Sequence, residues 1–96
     1  MPRLRWSQSA TLDVSRLYAF LSPKSREAAR RAVQVIQNGI GVLVTHPEVG
    51  RLIDGLPTSI RQRVIEFGHG AYVVRYQYDA REIVILAVRH CKEIDF

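Results

Sequence analysis

Leu4 and Trp6 alternate with Arg3 and Arg5, a period of two that predicts a short strand with one buried face. Ser7 or Ser9 offers a side-chain oxygen to cap the helix that follows. Along Ala10–Leu21 the apolar positions Ala10, Val14, Leu17, Tyr18 and Leu21 follow a 4-3-1-3 spacing, one stripe of an amphipathic helix. Ser22-Pro23 interrupts it, because proline lacks an amide and disfavours helical geometry in the residue before it. The same pair suits a restart, with Ser22 as cap and Pro23 in the first helical position. Ala29, Ala32, Val33, Ile36, Ile40 and Leu43 then predict a longer second helix that ends at His46-Pro47. Gly39 and Gly41 each weaken a helix by about 1 kcal/mol relative to alanine, so its last turns are expected to fray. The short connection predicts a helical hairpin.

From Pro47 to Pro57 turn-forming residues dominate, which predicts an ordered surface loop. The period then changes to two: Ile60–Phe67, Ala71–Tyr78 and Ile83–Arg89 read as strands. Gly68-His69-Gly70 and Asp79-Ala80-Arg81-Glu82 supply the turns of an antiparallel meander. The third of these strands is apolar on both faces and should be the best buried. The expectation is one α+β domain over residues 1–96, its helical hairpin packed on one face of an antiparallel sheet. Function is expected on the face left bare.

Composition narrows the classes. At 96 residues, with 47% hydrophobic and 24% charged positions, the chain fits an ordinary globular domain. No apolar run approaches the roughly 20 residues of a membrane span, and the N-terminus lacks the apolar stretch of a signal peptide. The lone Cys91 cannot close an internal disulfide, which suits a reducing cytoplasm. The net charge of +5 is uneven: residues 1–31 hold seven basic and two acidic side chains, which is +5 in that third alone. Twelve of the fourteen cations are arginine, favouring planar contacts to phosphate or carboxylate. A basic surface raises encounter rates with acidic partners, nucleic acid or protein, without naming one.

Strand alternation places Tyr72, Val74, Tyr76 and Tyr78 on one face and Val73, Arg75 and Gln77 on the other. Arg61 and Arg63 point the same way as each other, while Arg89 and His90 point to opposite faces. A basic cluster on the open side is therefore expected from Arg61, Arg63, Arg75 and either Arg89 or His90. An imidazole such as that of His90 can shuttle protons, yet the sequence around it offers no convincing acid–base partner, so a hydrogen-bonding role is the simpler one. Three scattered histidines and one cysteine do not predict a metal site. No glycine loop of phosphate-binding spacing occurs, and no cofactor is implied. Trp6 reads as a core residue of the first strand.

Several stretches together resemble the RelE/ParE superfamily of bacterial type II toxin–antitoxin toxins over nearly the whole chain. They are Trp6-Ser7 with Ala10 and Asp13, then Leu17–Leu21, His46–Arg51, Arg61, Gly70–Tyr76 and Ile83–His90. The resemblance implies a β-α-α-β-β-β fold, a cognate antitoxin, a toxin–antitoxin hetero-oligomer, growth arrest and plasmid stabilisation. ParE-type members poison DNA gyrase. RelE-type members cut mRNA on the ribosome, using basic residues on the sheet and an aromatic near the C-terminus. In the nuclease reading Arg61, Arg63 and Arg75 hold the phosphate, His90 acts as acid or base, and Phe96 stacks on a base. Val73 stands where that family has an arginine, and Phe96, in the place of a tyrosine, has no hydroxyl to exchange a proton. Some ribosome-dependent relatives do work with a histidine and a nearby phenylalanine. The resemblance is closer to ParE, with Arg61, Arg63, Arg75, Arg89, His90 and Phe96 as the expected target- or antitoxin-binding residues.

Overall fold

A computed structural model of the chain describes residues 1–93. The elements run β1 (Arg3–Trp6), α1 (Gln8–Leu21), α2 (Arg26–Thr45), β2 (Arg51–Leu52), β3 (Ile60–Phe67), β4 (Gly70–Tyr78) and β5 (Glu82–His90). Among the described residues the strands form one sheet in the order β1-β5-β4-β3-β2. The meander β3-β4-β5 is antiparallel, as its turns predict. β1 joins β5 in parallel, with Leu4 beside Ile83 and Trp6 beside Ile85, so the complete sheet is mixed. The chain that joins these two parallel strands runs through the helical hairpin and then through β2, β3 and β4.

Ser7 caps α1, accepting the Ala10 N–H at 3.0 Å. Ser22 does not open the second helix. Its N–H still bonds to the Tyr18 carbonyl, Pro23 lies in the turn, and Ser25 caps α2 by accepting from Ala28. Nor does α2 fray at its glycines: it continues to Thr45, and Gly39 is buried against β3. A Cβ at residue 39 would stand 2.4 Å from Cδ1 of Ile65, so the missing side chain is what lets helix and strand approach. Within the predicted 47–57 loop, Arg51–Leu52 forms a two-residue edge strand on β3.

The core lies between the hairpin and one sheet face. Leu17, Ile36, Ile40 and Leu43 meet Ile65, Val74, Tyr76, Ile83, Ile85 and Val88 there. Tyr72, Val74 and Tyr76 share that face as predicted, and Trp6 and Tyr78 pack at its margin. Among the described residues the opposite face, with Val64, Val73, Arg75 and Gln77, carries no helix. A register shift where β4 passes from Arg75 to Tyr76 leaves Leu86 as the extra residue of β5. It brings Val88 and His90 back to the core side and sets Arg89 on the other.

Candidate functional site

The turn between β3 and β4 contains two residues, Gly68 and His69, so Phe67 pairs with Gly70. Gly68 has φ +60, a conformation that costs a glycine little. Counting back, Arg61 lies opposite Tyr76 and Arg63 opposite Val74. Both arginines therefore sit on the helix side of the sheet, not on the open side with Arg75. The predicted cluster of Arg61, Arg63 and Arg75 does not form. Arg61 instead holds the chain that follows α2. Its guanidinium donates to the carbonyls of Gly50 at 2.8 Å and Glu48 at 3.2 Å and lies 3.7 Å from the Glu48 carboxylate. Tyr76 completes this anchor, donating to the Pro47 carbonyl at 2.7 Å and accepting the Gly50 N–H at 2.9 Å. Burial pushes the Tyr76 phenol pKa up, against the downward pull of the Gly50 N–H and of Arg61 and Arg63, so the hydroxyl keeps the proton it donates. Arg63 has a buried Nε with no hydrogen-bond partner among the described residues.

Arg75 lies on the bare face, its Nε 3.2 Å from the Gln62 side chain; Arg51 flanks Gln62 from the other side. Arg89 and His90 do point to opposite faces. Arg89 stands opposite Val73, and its guanidinium pairs with the Asp13 carboxylate. His90 stands opposite Tyr72 and meets that ring edge-on at a centroid distance of 5.5 Å. Its Nδ1 accepts the Lys92 N–H at 3.1 Å, so the neutral ring carries its proton on Nε2. Burial raises the Tyr72 phenol pKa, with the Cys91 thiol adding to the effect. Phe96 lies outside the described residues. Arg61 and His90 are four β4 positions apart, about 13 Å along the strand. The structure thus distributes these side chains over two faces and two ends of the sheet.

Asp13 is a polar residue that pattern reading left unassigned. It falls on the apolar stripe of α1, three residues after Ala10 and four before Leu17, and an ionisable group at such a position is the signal that marks it. Only 8% exposed, its carboxylate accepts the Val88 N–H at 2.9 Å and pairs with Arg89. Arg16 lies 3.8 Å from Asp13 and 3.1 Å from Glu93, and Glu93 accepts the His90 N–H at 3.0 Å.

A groove of about 670 Å³ opens beside this network, between the C-terminal half of α1 and the β3–β4 turn. Leu17, Phe67 and Tyr72 line it, with Arg16, Phe20 and Lys24 among the α1-side residues. Phe20 is 67% exposed, and the Lys24 ammonium lies 4.9 Å from its ring centroid. Among the described residues no group of three or more His, Cys, Asp or Glu side chains is placed to hold a metal. No described helix is long and apolar enough to cross a membrane.

Two helices on one face of a mixed five-stranded sheet define an α+β fold that is shared with a toxin–antitoxin protein of known structure. The family described as ParE toxin of type II toxin-antitoxin system, parDE, matches residues 4–95, and the chain belongs to it. Toxin RelE3 of Caulobacter vibrioides is 29% identical over 84 residues, 88% of each chain. Among solved structures, the chromosomal ParDE TA system from P. aeruginosa superposes with a TM-score of 0.77 at 25% identity, over 94% of this chain and 96% of that one.

Proposed function

We propose that the chain is a ParE-like toxin that inhibits DNA gyrase by binding it and is held inactive by a cognate antitoxin. The observation that carries this reading is the separation of Arg61 and Arg63 from both Arg75 and His90. RNA cleavage needs phosphate ligands and a proton-transfer group within reach of one phosphodiester. Arg61 is committed to the Glu48 and Gly50 carbonyls, and His90, on β5, stands opposite Tyr72, four β4 positions from the residue that faces Arg61. Inhibition by binding makes no such demand.

The antitoxin meets the toxin at the groove beside α1. Its apolar lining and the cations Lys24 and Lys92 suit an acidic amphipathic segment that folds as it docks. The assembly is a cytoplasmic toxin–antitoxin hetero-oligomer whose toxin, once freed, arrests growth. Induction of the chain without its antitoxin tests the reading. Relaxed plasmids and chromosome breaks are expected. Growth arrest with normal supercoiling and an intact chromosome would remove the gyrase claim.

A second reading, a ribosome-dependent mRNA interferase, draws on the name of the RelE3 relative and on the His90 ring, whose Nδ1 is held by the Lys92 N–H. Mapping transcript 5′ ends during translation distinguishes it: new cuts within codons favour the nuclease, and their absence favours gyrase.

A further inference from the structure

Among the described residues, β5 past Ile85 has no strand neighbour on the side of β1, because β1 pairs only with residues 82–85. The start of α1 supplies partners to that edge instead. Ser7 donates its N–H to the Ile85 carbonyl at 3.0 Å and its hydroxyl to the Leu86 carbonyl at 3.3 Å. Asp13 then accepts from Val88, the point where the strand has recovered from its irregularity. Asp13 is the only carboxylate buried among the described residues, and a buried carboxylate is costly unless charge and hydrogen bonds compensate it. Here the compensating charge comes chiefly from Arg89, the residue next to Val88.

We infer that Asp13 is a positioning residue for the Arg89–His90 end of the sheet. Its carboxylate fixes the strand edge at Val88 and the direction of the Arg89 guanidinium together. Arg16, shared between Asp13 and Glu93, extends the constraint to the residues after β5, and Glu93 passes it to the backbone of His90. One side chain on α1 thereby sets Arg89 and His90, two of the residues expected to bind the target or the antitoxin. The inference rests on that reading of Arg89 and His90.

Full-length Asp13→Asn keeps an oxygen for the Val88 N–H and removes the charge. In gyrase supercoiling assays the half-inhibitory concentration is expected to rise about tenfold, the worth of a lost charge-assisted hydrogen bond. Added to Arg89→Gln, the same change is expected to shift inhibition less than about twofold, since both substitutions break one pair. Inhibition equal to wild type, or a further tenfold loss in the Arg89→Gln background, overturns the inference; loss of stability alone would add to Arg89→Gln. Should Asp13→Asn fail to fold, Arg16→Gln at an exposed side chain takes its place: a rise of about threefold supports the inference and no rise counts against it. Amide hydrogen exchange needs no gyrase. Faster exchange over residues 88–93 in the variant supports the positioning role, and unchanged protection overturns it. A wild-type chain that leaves gyrase untouched defeats the functional reading, while exchange still decides whether Asp13 orders the strand end.

Discussion

The Tyr76 hydroxyl and the backbone of Gly50 fit each other so closely that position 50 admits no side chain. A Cβ there would stand 2.5 Å from the hydroxyl oxygen and 3.0 Å from the Gln62 carbonyl. Gly50→Ala is therefore expected to destabilise the fold by about 1–3 kcal/mol, the range for overpacking. Tyr76→Phe strands the Gly50 N–H and the Pro47 carbonyl and is expected to cost about 1–2 kcal/mol. Denaturant midpoints read both; a Gly50→Ala protein as stable as wild type would contradict the fit.

Gly39 meets a similar restriction with the opposite local bias. Alanine is favoured by about 1 kcal/mol in a helix interior, but its Cβ would lie 2.4 and 2.8 Å from Cδ1 and Cγ1 of Ile65. Steric conflict should win, so Gly39→Ala destabilises. Adding Ile65→Val removes Cδ1 and is expected to recover part of the loss. Strictly additive single and double variants in urea unfolding would contradict this contact.

Much of this fold is legible in the chain. The run Ile60–Phe67 has the observed ends of β3 because turn-forming residues bound it, Pro57 before and Gly68-His69 after. Two residues are too few for a period, and Arg51–Leu52 is accordingly invisible as a strand. Ser22 and Ser25 are both plausible caps, and the choice fell to Ser25 because Ser22 still completes the last turn of α1. The site was less legible for a single reason. A turn comprising Gly68, His69 and Gly70 would pair Phe67 with Ala71 and Arg63 with Arg75. The observed two-residue turn shifts the register by one and turns Arg61 and Arg63 to the other face. Asp13 could be flagged by its place on the apolar stripe, but its partners are some 75 residues away in sequence.

Arg61 and Arg75 should separate anchoring from recognition. Arg61→Gln loosens the Pro47–Gly50 segment and is expected to cost about 1–3 kcal/mol, since its hydrogen bonds carry charge. Arg75→Gln, on the bare face, is expected to change stability by no more than about 0.5 kcal/mol and to weaken target binding several-fold. Thermal melting together with binding titrations of both variants checks the pair. Equal loss of stability in the two would contradict their assigned roles.

Acid should loosen the end of β5. Partial burial pushes the Glu93 carboxyl up, but the His90 N–H and the charges of Arg16 and Arg89 pull it further down, to a net value below 4.5. The folded state then binds fewer protons than the unfolded one. Its contribution is present above 4.5 and is lost as pH falls through the depressed folded value. The stability gap between wild type and Glu93→Gln is thus expected at neutral pH and should close in acid. A gap that widened on acidification would contradict the sign.

Purified gyrase, relaxed plasmid and ATP, titrated with the full-length chain, put gyrase inhibition to a direct trial. Loss of supercoiling activity with rising toxin, restored when the cognate antitoxin is added in stoichiometric amount, is the predicted result. Full supercoiling at every toxin concentration, from a preparation that still arrests growth when expressed, would contradict it.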